Sequence, residues 1–123
     1  MNKIILALGS NIQQEYHMRQ VAALLCDTFQ NLIFANSCWT KSIGLDSDDF
    51  LNGMVSAETN LSVKEILACL KDMEKACGRT SCDSERGIIP MDIDLLMYNG
   101  CCFHKEDWKR PYIQNLYHQL TDE

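Results

Sequence analysis

The segment from Pro90 to Tyr98 constrains the fold of this chain more than any other stretch. Apolar residues alternate in it with Asp92 and Asp94. Because successive side chains of a β-strand point to opposite faces, the two aspartates are predicted to share one face of a strand. The other face is predicted to carry Ile93, Leu95 and Met97.

The spacing of the two aspartates is compatible with a metal site. Side chains two positions apart on a strand are separated by roughly 6–7 Å. The ions of two-metal phosphoryl-transfer sites lie about 3.5–4 Å apart, so both carboxylates can converge on such a pair. Oxygen ligands favour magnesium over zinc. The alternative is a half-solvated strand with an acidic outer face, although strands disfavour aspartate.

Length and composition set the broad class of the protein. A chain of 123 residues with 46% hydrophobic and 23% charged residues is predicted to form one soluble globular domain. A formal net charge of −6 disfavours nucleic-acid binding. No apolar run approaches the length of a membrane span, and the N-terminus does not resemble a signal peptide. We therefore expect a monomer that binds neither nucleic acid nor membranes.

The seven cysteines are odd in number and contain no C-x-x-C pair. Most of them fall in apolar segments, which predicts buried free thiols in a reducing cytoplasm. Cys101, Cys102 and His104 have the wrong spacing for a zinc site. The sequence therefore predicts a cytoplasmic protein without disulfides.

Hydrophobic periodicity predicts a strand–helix–strand–strand–helix–strand order. Ser62 and Glu65 have the spacing of a capping box at the start of the second helix, and Gly78 ends it. The predicted strands are 3–8, 31–39, 50–58 and 91–98, and the predicted helices are 13–29 and 62–77. The predicted loops are 40–49 and 79–90, and 107–123 is weakly helical.

This order predicts an α+β, ferredoxin-like βαββαβ fold, in which an antiparallel sheet carries two helices on one face. Loops are expected over the other face. On that face we expect Asp92, Asp94 and Asn52, and a short return strand is expected after the turn at Asn99 and Gly100. The fold alone names no chemistry.

Four short motifs, in this order and spacing, resemble the 6-hydroxymethyl-7,8-dihydropterin pyrophosphokinase family. Members of this family transfer pyrophosphate from ATP to a pterin alcohol in folate biosynthesis and release AMP. The motifs are Ala7-Leu8-Gly9-Ser10-Asn11, Asp49-Phe50-Leu51-Asn52, Met73-Glu74 with Gly78-Arg79, and Met91-Asp92-Ile93-Asp94-Leu95-Leu96.

The resemblance implies the same ferredoxin-like fold and assigns roles to individual residues. It implies that Asp92 and Asp94 bind two Mg²⁺ ions that bridge the ATP phosphates, and that Arg79 joins them in catalysis. The loops at 40–49 and 79–90 are expected to close over the substrates. The implied ATP-binding residues are Glu74, Arg79, Arg86, Tyr112 and His118, and the implied pterin-binding residues are Ser42, Ile43, Phe50, Asn52 and Asp92.

The chain departs from the family pattern where the family places cations. Ile89 stands where the family has an arginine, Arg86 where it has a tryptophan, and His118 where it has a later arginine. Ser81 also replaces a basic residue, Tyr112 replaces the histidine of a Pro-His pair, and the C-terminus is shorter than in other members. The alternatives to an active pyrophosphokinase are therefore a relative that binds a pterin or nucleotide without catalysis, and a ferredoxin-like interaction module.

Overall fold

The computed structural model describes residues 1–41 and 49–121 of the chain. Within these ranges it contains six β-strands, four α-helices and one short 3-10 helix. None of the helices in the described part combines the length and the hydropathy that a membrane crossing requires. The elements are β1 (Asn2–Ser10), α1 (Gln14–Thr28), β2 (Gln30–Phe34), β3 (Cys38–Thr40), β4 (Phe50–Thr59), α2 (Val63–Ala76), α3 (Ser81–Glu85), β5 (Asp92–Tyr98), β6 (Cys101–Cys102), the 3-10 helix (Asp107–Lys109) and α4 (Pro111–Thr121).

The strands form one antiparallel sheet in the order β2-β4-β1-β5-β6, and β3 also pairs with β4. The four long strands with α1 and α2 give the βαββαβ order in which the two central strands are β4 and β1. The predicted α+β, ferredoxin-like class is therefore confirmed.

The main hydrophobic core lies between the sheet and the two long helices. Val21 and Leu25 of α1 and Ile66 and Leu70 of α2 are buried against the same face of the sheet. Full burial of a side chain of this size stabilises the fold by about 1.5–3 kcal/mol. The sheet contributes alternate residues of its central strands to this core, which fixes the face that each neighbouring residue occupies.

The predicted capping box of α2 is present. The Ser62 side chain accepts a hydrogen bond from the Glu65 backbone N–H at 3.2 Å, and the Glu65 carboxylate accepts one from the Ser62 N–H at 3.1 Å. These bonds pair two backbone donors that the first helical turn leaves without partners. The start of α2 is thereby fixed, and so is the position of Glu74 near its C-terminal end.

The opposite face of the sheet is covered at one end by α4, which corrects the expectation that only loops cover this face. Ile113, Leu116 and Leu120 lie on one side of α4 and pack with Ile5 and Met54 of the sheet. Their spacing of three and four residues is that of an amphipathic helix. The helix covers one half of the face and leaves the end that carries Gly9, Asn52 and Asp92 uncovered.

Two element predictions need correction. The predicted strand 31–39 is two strands, β2 and β3, because the chain leaves β4 between them, where the Asn36 N–H donates to Gln119 Oε1 of α4 at 2.8 Å. The predicted loop 79–90 contains the short helix α3, which begins where the Thr80 side chain accepts a hydrogen bond from the Asp83 N–H at 3.1 Å.

The alternation of β5 is also interrupted. The β1–β5 pairing shifts register between Ile5 and Leu6, so that Leu95 pairs with Leu6 and Met97 pairs with Ile5. Leu96 lies in the smaller core under α4, as its alternation with Asp92 and Asp94 requires, and the bulge adds Met97 to that core, whereas Ile93 and Leu95 lie in the main core. Met97 therefore does not share a face with Ile93 and Leu95 as predicted.

All seven cysteines are free, as expected, but their predicted burial is mostly wrong. Cys77 is buried, Cys38 and Cys69 are half-buried, and the other four are exposed. An apolar context along the sequence did not identify the buried positions because α1 and α3 turn Cys26 and Cys82 to solvent.

Candidate active site

Strand register brings the predicted site residues together across three strands. Gly9 in β1 pairs with Asn52 in β4 on one side and with Asp92 in β5 on the other. A Cβ atom on Gly9 would lie 3.5 Å from Asn52 Oδ1 and 3.6 Å from a ring carbon of Phe50. The absence of a side chain at Gly9 thus leaves the floor of the site open between the amide and the carboxylate.

The uncovered end of the sheet forms a cavity of about 270 Å³, which we call the inner cleft. Its wall contains the backbone and small residues of β1, aromatic side chains, an amide and charged groups. Such a mixture is expected of a site for a small polar ligand. The inner cleft is lined by Ala7, Leu8, Gly9, Thr40, Lys41, Phe50, Asn52, Asp92, Asp94, Arg110 and Tyr112.

The orientation of the Asn52 amide is fixed by its donor side. Nδ2 donates to the Thr40 hydroxyl at 2.8 Å and to the Cys38 carbonyl at 3.1 Å. Within the described residues no group donates to Asn52 Oδ1, which is the atom that approaches Gly9. The buried Asn52 therefore presents a hydrogen-bond acceptor at the floor of the inner cleft.

A second, larger cavity of about 830 Å³ lies on the other side of the two aspartates, and we call it the outer groove. Asp92 and Asp94 line both cavities. The outer groove is lined by Leu67, Leu70, Lys71, Glu74, Lys75, Arg79, Thr80, Ser81, Ser84, Glu85, Asp92, Ile93, Asp94 and His104.

Arg79 holds the first aspartate in place. Its Nη1 donates to Asp92 Oδ1 at 2.8 Å and to Glu74 Oε2 at 3.0 Å, and its Nε donates to the Ser84 hydroxyl at 3.2 Å. Glu74 Oε2 also accepts a hydrogen bond from the Ile93 N–H at 2.8 Å. The end of α2, the helix α3 and the strand β5 are thus joined by one network of charge-assisted hydrogen bonds.

Negative charge predominates at the place where Glu74, Asp92 and Asp94 surround Arg79. Burial, and then the charge of Asp92, raise the pKa of Asp94 to about 6. Burial also raises the pKa of Glu74, although the Ile93 N–H and Arg79 oppose that rise. Burial by itself would lower the pKa of Arg79, but the hydrogen bond to Asp92 and the charge of Glu74 raise it overall. Three carboxylates thus face one committed guanidinium, and a bound cation would relieve their repulsion.

Within residues 1–41 and 49–121, no group of three or more His, Cys, Asp or Glu side chains has the geometry to hold a metal ion. Asp92 and Asp94 thus offer a pair of carboxylate groups rather than a complete protein cage. Mg²⁺ commonly binds in this way, with one or two carboxylates and the remaining ligands from water and substrate phosphates.

The structure gathers most of the predicted site residues. Phe50, Asn52 and Tyr112 line the inner cleft, and Glu74 and Arg79 line the outer groove. Arg86 and His118 are exposed and line neither cavity, and Ser42 and Ile43 lie outside the described residues.

Several polar residues of the two cavities had no individually predicted role in the site, Lys71 and Lys75 among them. Thr40, Lys41 and Arg110 line the inner cleft, and His104 lines the outer groove with its Nε2 3.9 Å from Asp94 Oδ1. Arg110 had a signal in the sequence, since it belongs to a cluster of basic residues that follows the acidic strand. The sequence placed Thr40 and Lys41 in the 40–49 loop that was expected to close over the substrates, but it assigned neither of them a contact.

Asn11 connects the end of β1 to the segment that precedes β5. Its Nδ2 donates to the Gly87 carbonyl at 2.6 Å, and its Oδ1 accepts from the Ile89 N–H at 2.7 Å. Its own N–H donates to the Ile89 carbonyl at 3.0 Å. The side chain is buried, so it replaces water as the partner of two backbone groups.

Asn11→Ala is expected to lower the free energy of unfolding by about 2–3 kcal/mol, because it leaves the Ile89 N–H and the Gly87 carbonyl without their partner. Urea denaturation followed by circular dichroism measures this change. Asn36→Ala is the matched control, since no side-chain hydrogen bond of Asn36 occurs within the described residues; it is expected to change the free energy by less than about 0.5 kcal/mol. Equal effects of the two substitutions would contradict the assigned role of Asn11.

Comparison with known proteins identifies the family. A model of the 7,8-dihydro-6-hydroxymethylpterin-pyrophosphokinase (HPPK) family matches residues 5–122. The mitochondrial folate synthesis bifunctional protein of Pisum sativum is 31% identical over 123 residues, which cover 90% of this chain and 24% of that protein. A folate synthesis bifunctional protein of Arabidopsis thaliana is 28% identical over 122 residues (90% of this chain, 25% of that protein). A folate synthesis bifunctional protein of Chlamydia caviae is 29% identical over 117 residues (89% of this chain, 26% of that protein).

The chain spans about a quarter of the length of these relatives. The pea protein is named as mitochondrial, so the cytoplasmic location expected for this chain stays a prediction. The family match, in contrast, extends over nearly all of the sequence, including both aspartates, Asn52 and Arg79. The chain belongs to the HPPK family.

Proposed function

We propose that this protein transfers pyrophosphate from ATP to the hydroxyl of 6-hydroxymethyl-7,8-dihydropterin and releases AMP. The observation that carries the proposal is the position of Asp92 and Asp94 between two cavities. A transfer between two bound substrates needs the reacting groups to meet at the charged centre, and each cavity supplies a place for one substrate.

The inner cleft suits the pterin. A pterin ring is flat and carries N–H donors on its edge, and Asn52 Oδ1 is a buried acceptor at the floor of this cleft. Phe50 and Tyr112 supply aromatic surface along its walls. The hydroxymethyl group of a pterin bound in this way would extend toward Asp92 and Asp94.

The outer groove suits the nucleotide. Lys71, Lys75 and Arg79 lie four residues apart along and just beyond α2, so they follow one side of the helix toward Asp92. A triphosphate along this row would meet positive charge over its length. The pterin hydroxyl oxygen would then attack the β-phosphorus, the bond from that phosphorus to the α–β bridging oxygen would break, AMP would leave, and the hydroxyl proton would pass to solvent.

The residues present fit magnesium. Asp92 and Asp94 offer carboxylate oxygens on one face of β5. Within the described residues, no lysine, arginine or histidine nitrogen lies closer to Asp94 than His104 Nε2, at 3.9 Å. Bound Mg²⁺, of which the family resemblance implies two ions, would neutralise charge on the phosphates. The two aspartates would hold the metal, while Arg79 would orient Asp92.

The departures at Ser81, Ile89 and His118 favour a second candidate, a relative that binds its ligands without turnover. Each lost cationic contact to a transferring phosphate removes several kcal/mol of transition-state stabilisation. Lys71 and Lys75 supply charge in the outer groove, but neither faces the inner cleft.

Chromatographic detection of AMP distinguishes the two candidates. Incubation with Mg²⁺, ATP and the pterin is expected to yield AMP in proportion to the pterin, whereas kinases and most ATPases release ADP. EDTA is expected to stop the reaction. ATP and the pterin binding in calorimetry without any AMP would support the non-catalytic relative, and neither ligand binding would contradict both.

A further inference from the structure

Arg110 lines the inner cleft, together with Asp94 and Tyr112. The contacts that its side chain makes with the rest of the fold do not explain this position. Its side chain is 50% exposed, and its one ion pair within residues 1–41 and 49–121 joins Nε to Asp107 Oδ1 at 3.5 Å. An ion pair between groups this exposed contributes less than about 1 kcal/mol. Within the described residues, the two terminal guanidinium nitrogens donate no hydrogen bond, so they are available to a ligand.

The backbone that carries Arg110 is fixed relative to the carboxylates. Trp108 Nε1 donates to the Leu96 carbonyl at 3.2 Å and to the Phe103 carbonyl at 3.0 Å, and Leu96 belongs to the same strand as Asp94. The Arg110 N–H closes the 3-10 helix on the Asp107 carbonyl at 3.0 Å. A residue held in this way presents its side chain to the cleft at a defined place rather than from a free loop.

The distribution of cations around the two aspartates indicates which ligand group Arg110 can bind. Arg79 donates to Glu74, Asp92 and Ser84 and lines the outer groove, and Ile89 supplies no charge. On the side of the inner cleft, the cations that line the cavity are Lys41 and Arg110. A phosphate bound at Asp92 and Asp94 would therefore meet its guanidinium partner on this side at Arg110.

We infer that Arg110 binds the phosphate group that arrives at the acceptor side of Asp92 and Asp94, and so makes the inner cleft select the pyrophosphorylated product over the neutral alcohol. The inference rests on the proposed function and assigns it one further substrate-contacting residue. A guanidinium suits this task because its planar fork donates two parallel hydrogen bonds to phosphate oxygens, which the ammonium of lysine cannot reproduce.

The chain contains a matched control. Lys109 is adjacent to Arg110, carries the same charge, is 73% exposed and lines neither cavity. Lys109→Gln removes the same formal charge from the same segment as Arg110→Gln. A difference between these two variants therefore reports the position of Arg110 and not the net charge of the protein.

The inference is tested by calorimetry in the presence of Mg²⁺, which measures the affinity of each variant for the pterin alcohol, its pyrophosphate ester and inorganic pyrophosphate. Arg110→Gln is expected to weaken the ester and pyrophosphate about 10-fold each, with less than a twofold change for the alcohol. Arg110→Lys is expected to recover part of that loss, and Lys109→Gln is expected to change nothing. Unchanged ester and pyrophosphate affinities in Arg110→Gln, or an equal loss for the neutral alcohol, would overturn the inference.

The three probes also separate this inference from the proposed function. A wild-type protein that binds the ester and magnesium pyrophosphate through Arg110 but forms no AMP would leave the inference standing and contradict the proposed function. If the wild-type protein forms AMP and the Arg110→Gln variant binds the ester as tightly as wild type, the proposed function is supported and the inference about Arg110 is contradicted. Wild-type protein that binds no pyrophosphate and no ester contradicts the inference directly.

Discussion

Asp94→Asn is expected to abolish magnesium-dependent ATP binding and to lower AMP formation by at least about 1000-fold, while it stabilises the protein in EDTA. The two effects have one cause. Asp94 stands beside Asp92 in a partly buried site, where its negative charge is unfavourable unless a cation is present. Asparagine keeps the shape of the side chain and removes that charge. Asp92→Asn would be a poorer test, because Asp92 also accepts the hydrogen bond from Arg79.

The pH dependence of stability follows from the raised pKa of Asp94. The pKa rises from an ordinary value of 3.8 to about 6 in the folded protein, so the folded state binds more protons than the unfolded state between these values. The free energy of unfolding therefore falls as pH rises through this window. The side chain is 34% exposed, so solvent screening limits the loss to about 1 kcal/mol. Thermal denaturation in EDTA should show Asp94→Asn a few degrees more stable at pH 7 and equal to wild type below pH 4.

Magnesium should make the wild-type protein more stable than Asp94→Asn, which is the reverse of the order expected in EDTA. Wild-type protein is expected to gain stability with Mg²⁺ and ATP, because ligands that bind the folded state alone stabilise it, whereas Asp94→Asn should gain little. Asp72→Asn on the exposed side of α2 is the control and should behave as wild type under both conditions. An Asp94→Asn variant that keeps the magnesium response would show that the acidic face of β5 is a solvated surface, as in an interaction module.

The sequence was most informative where one residue has to satisfy two requirements at once. Asp92 and Asp94 alternate with apolar residues, so the strand period and the chemistry point to the same face. The capping box at Ser62 likewise specified a helix start by two reciprocal hydrogen bonds that both occur. The ferredoxin-like order followed because each long element has a clear hydrophobic period.

Features that depend on distant contacts were not predictable in the same way. The bulge that moves Met97 to the other face arises from the pairing of β5 with β1, and the sequence of β5 alone contains no sign of it. The position of α4 on the sheet depends on a complementary patch around Met54 and Leu96. Arg110 enters the inner cleft only because Trp108 attaches its segment to β5.

Arg79→Met is the second substitution with a large expected effect, because it removes the shared partner of Glu74 and Asp92. We expect the free energy of unfolding to fall by about 1–2 kcal/mol. This is less than the 3–5 kcal/mol typical of a fully buried pair, since the Arg79 side chain is 27% exposed. AMP formation is expected to fall about 100- to 1000-fold, because Asp92 loses the contact that orients it. Arg79→Lys should restore part of the stability and less of the activity, since lysine lacks the fork that bonds Asp92 and Ser84 together.

A double-mutant cycle with Glu74→Gln separates the network from a simple loss of charge. If Glu74 and Arg79 stabilise the fold through their 3.0 Å contact, the double variant should be more stable than the sum of the single effects predicts, by about 1 kcal/mol. Urea denaturation at constant m-value measures the free energy of unfolding of all four proteins.

Lys75→Met is the matched control, because it removes a cation from the last turn of the same helix, and Lys75 has no partner in the Glu74 network. Additive effects in the cycle, together with equal losses for Arg79→Met and Lys75→Met, would mean that Arg79 acts only as a favourable charge at the C-terminal end of α2. Asp92 would then be held by its strand alone, and both its orientation and its role would have to be explained without Arg79.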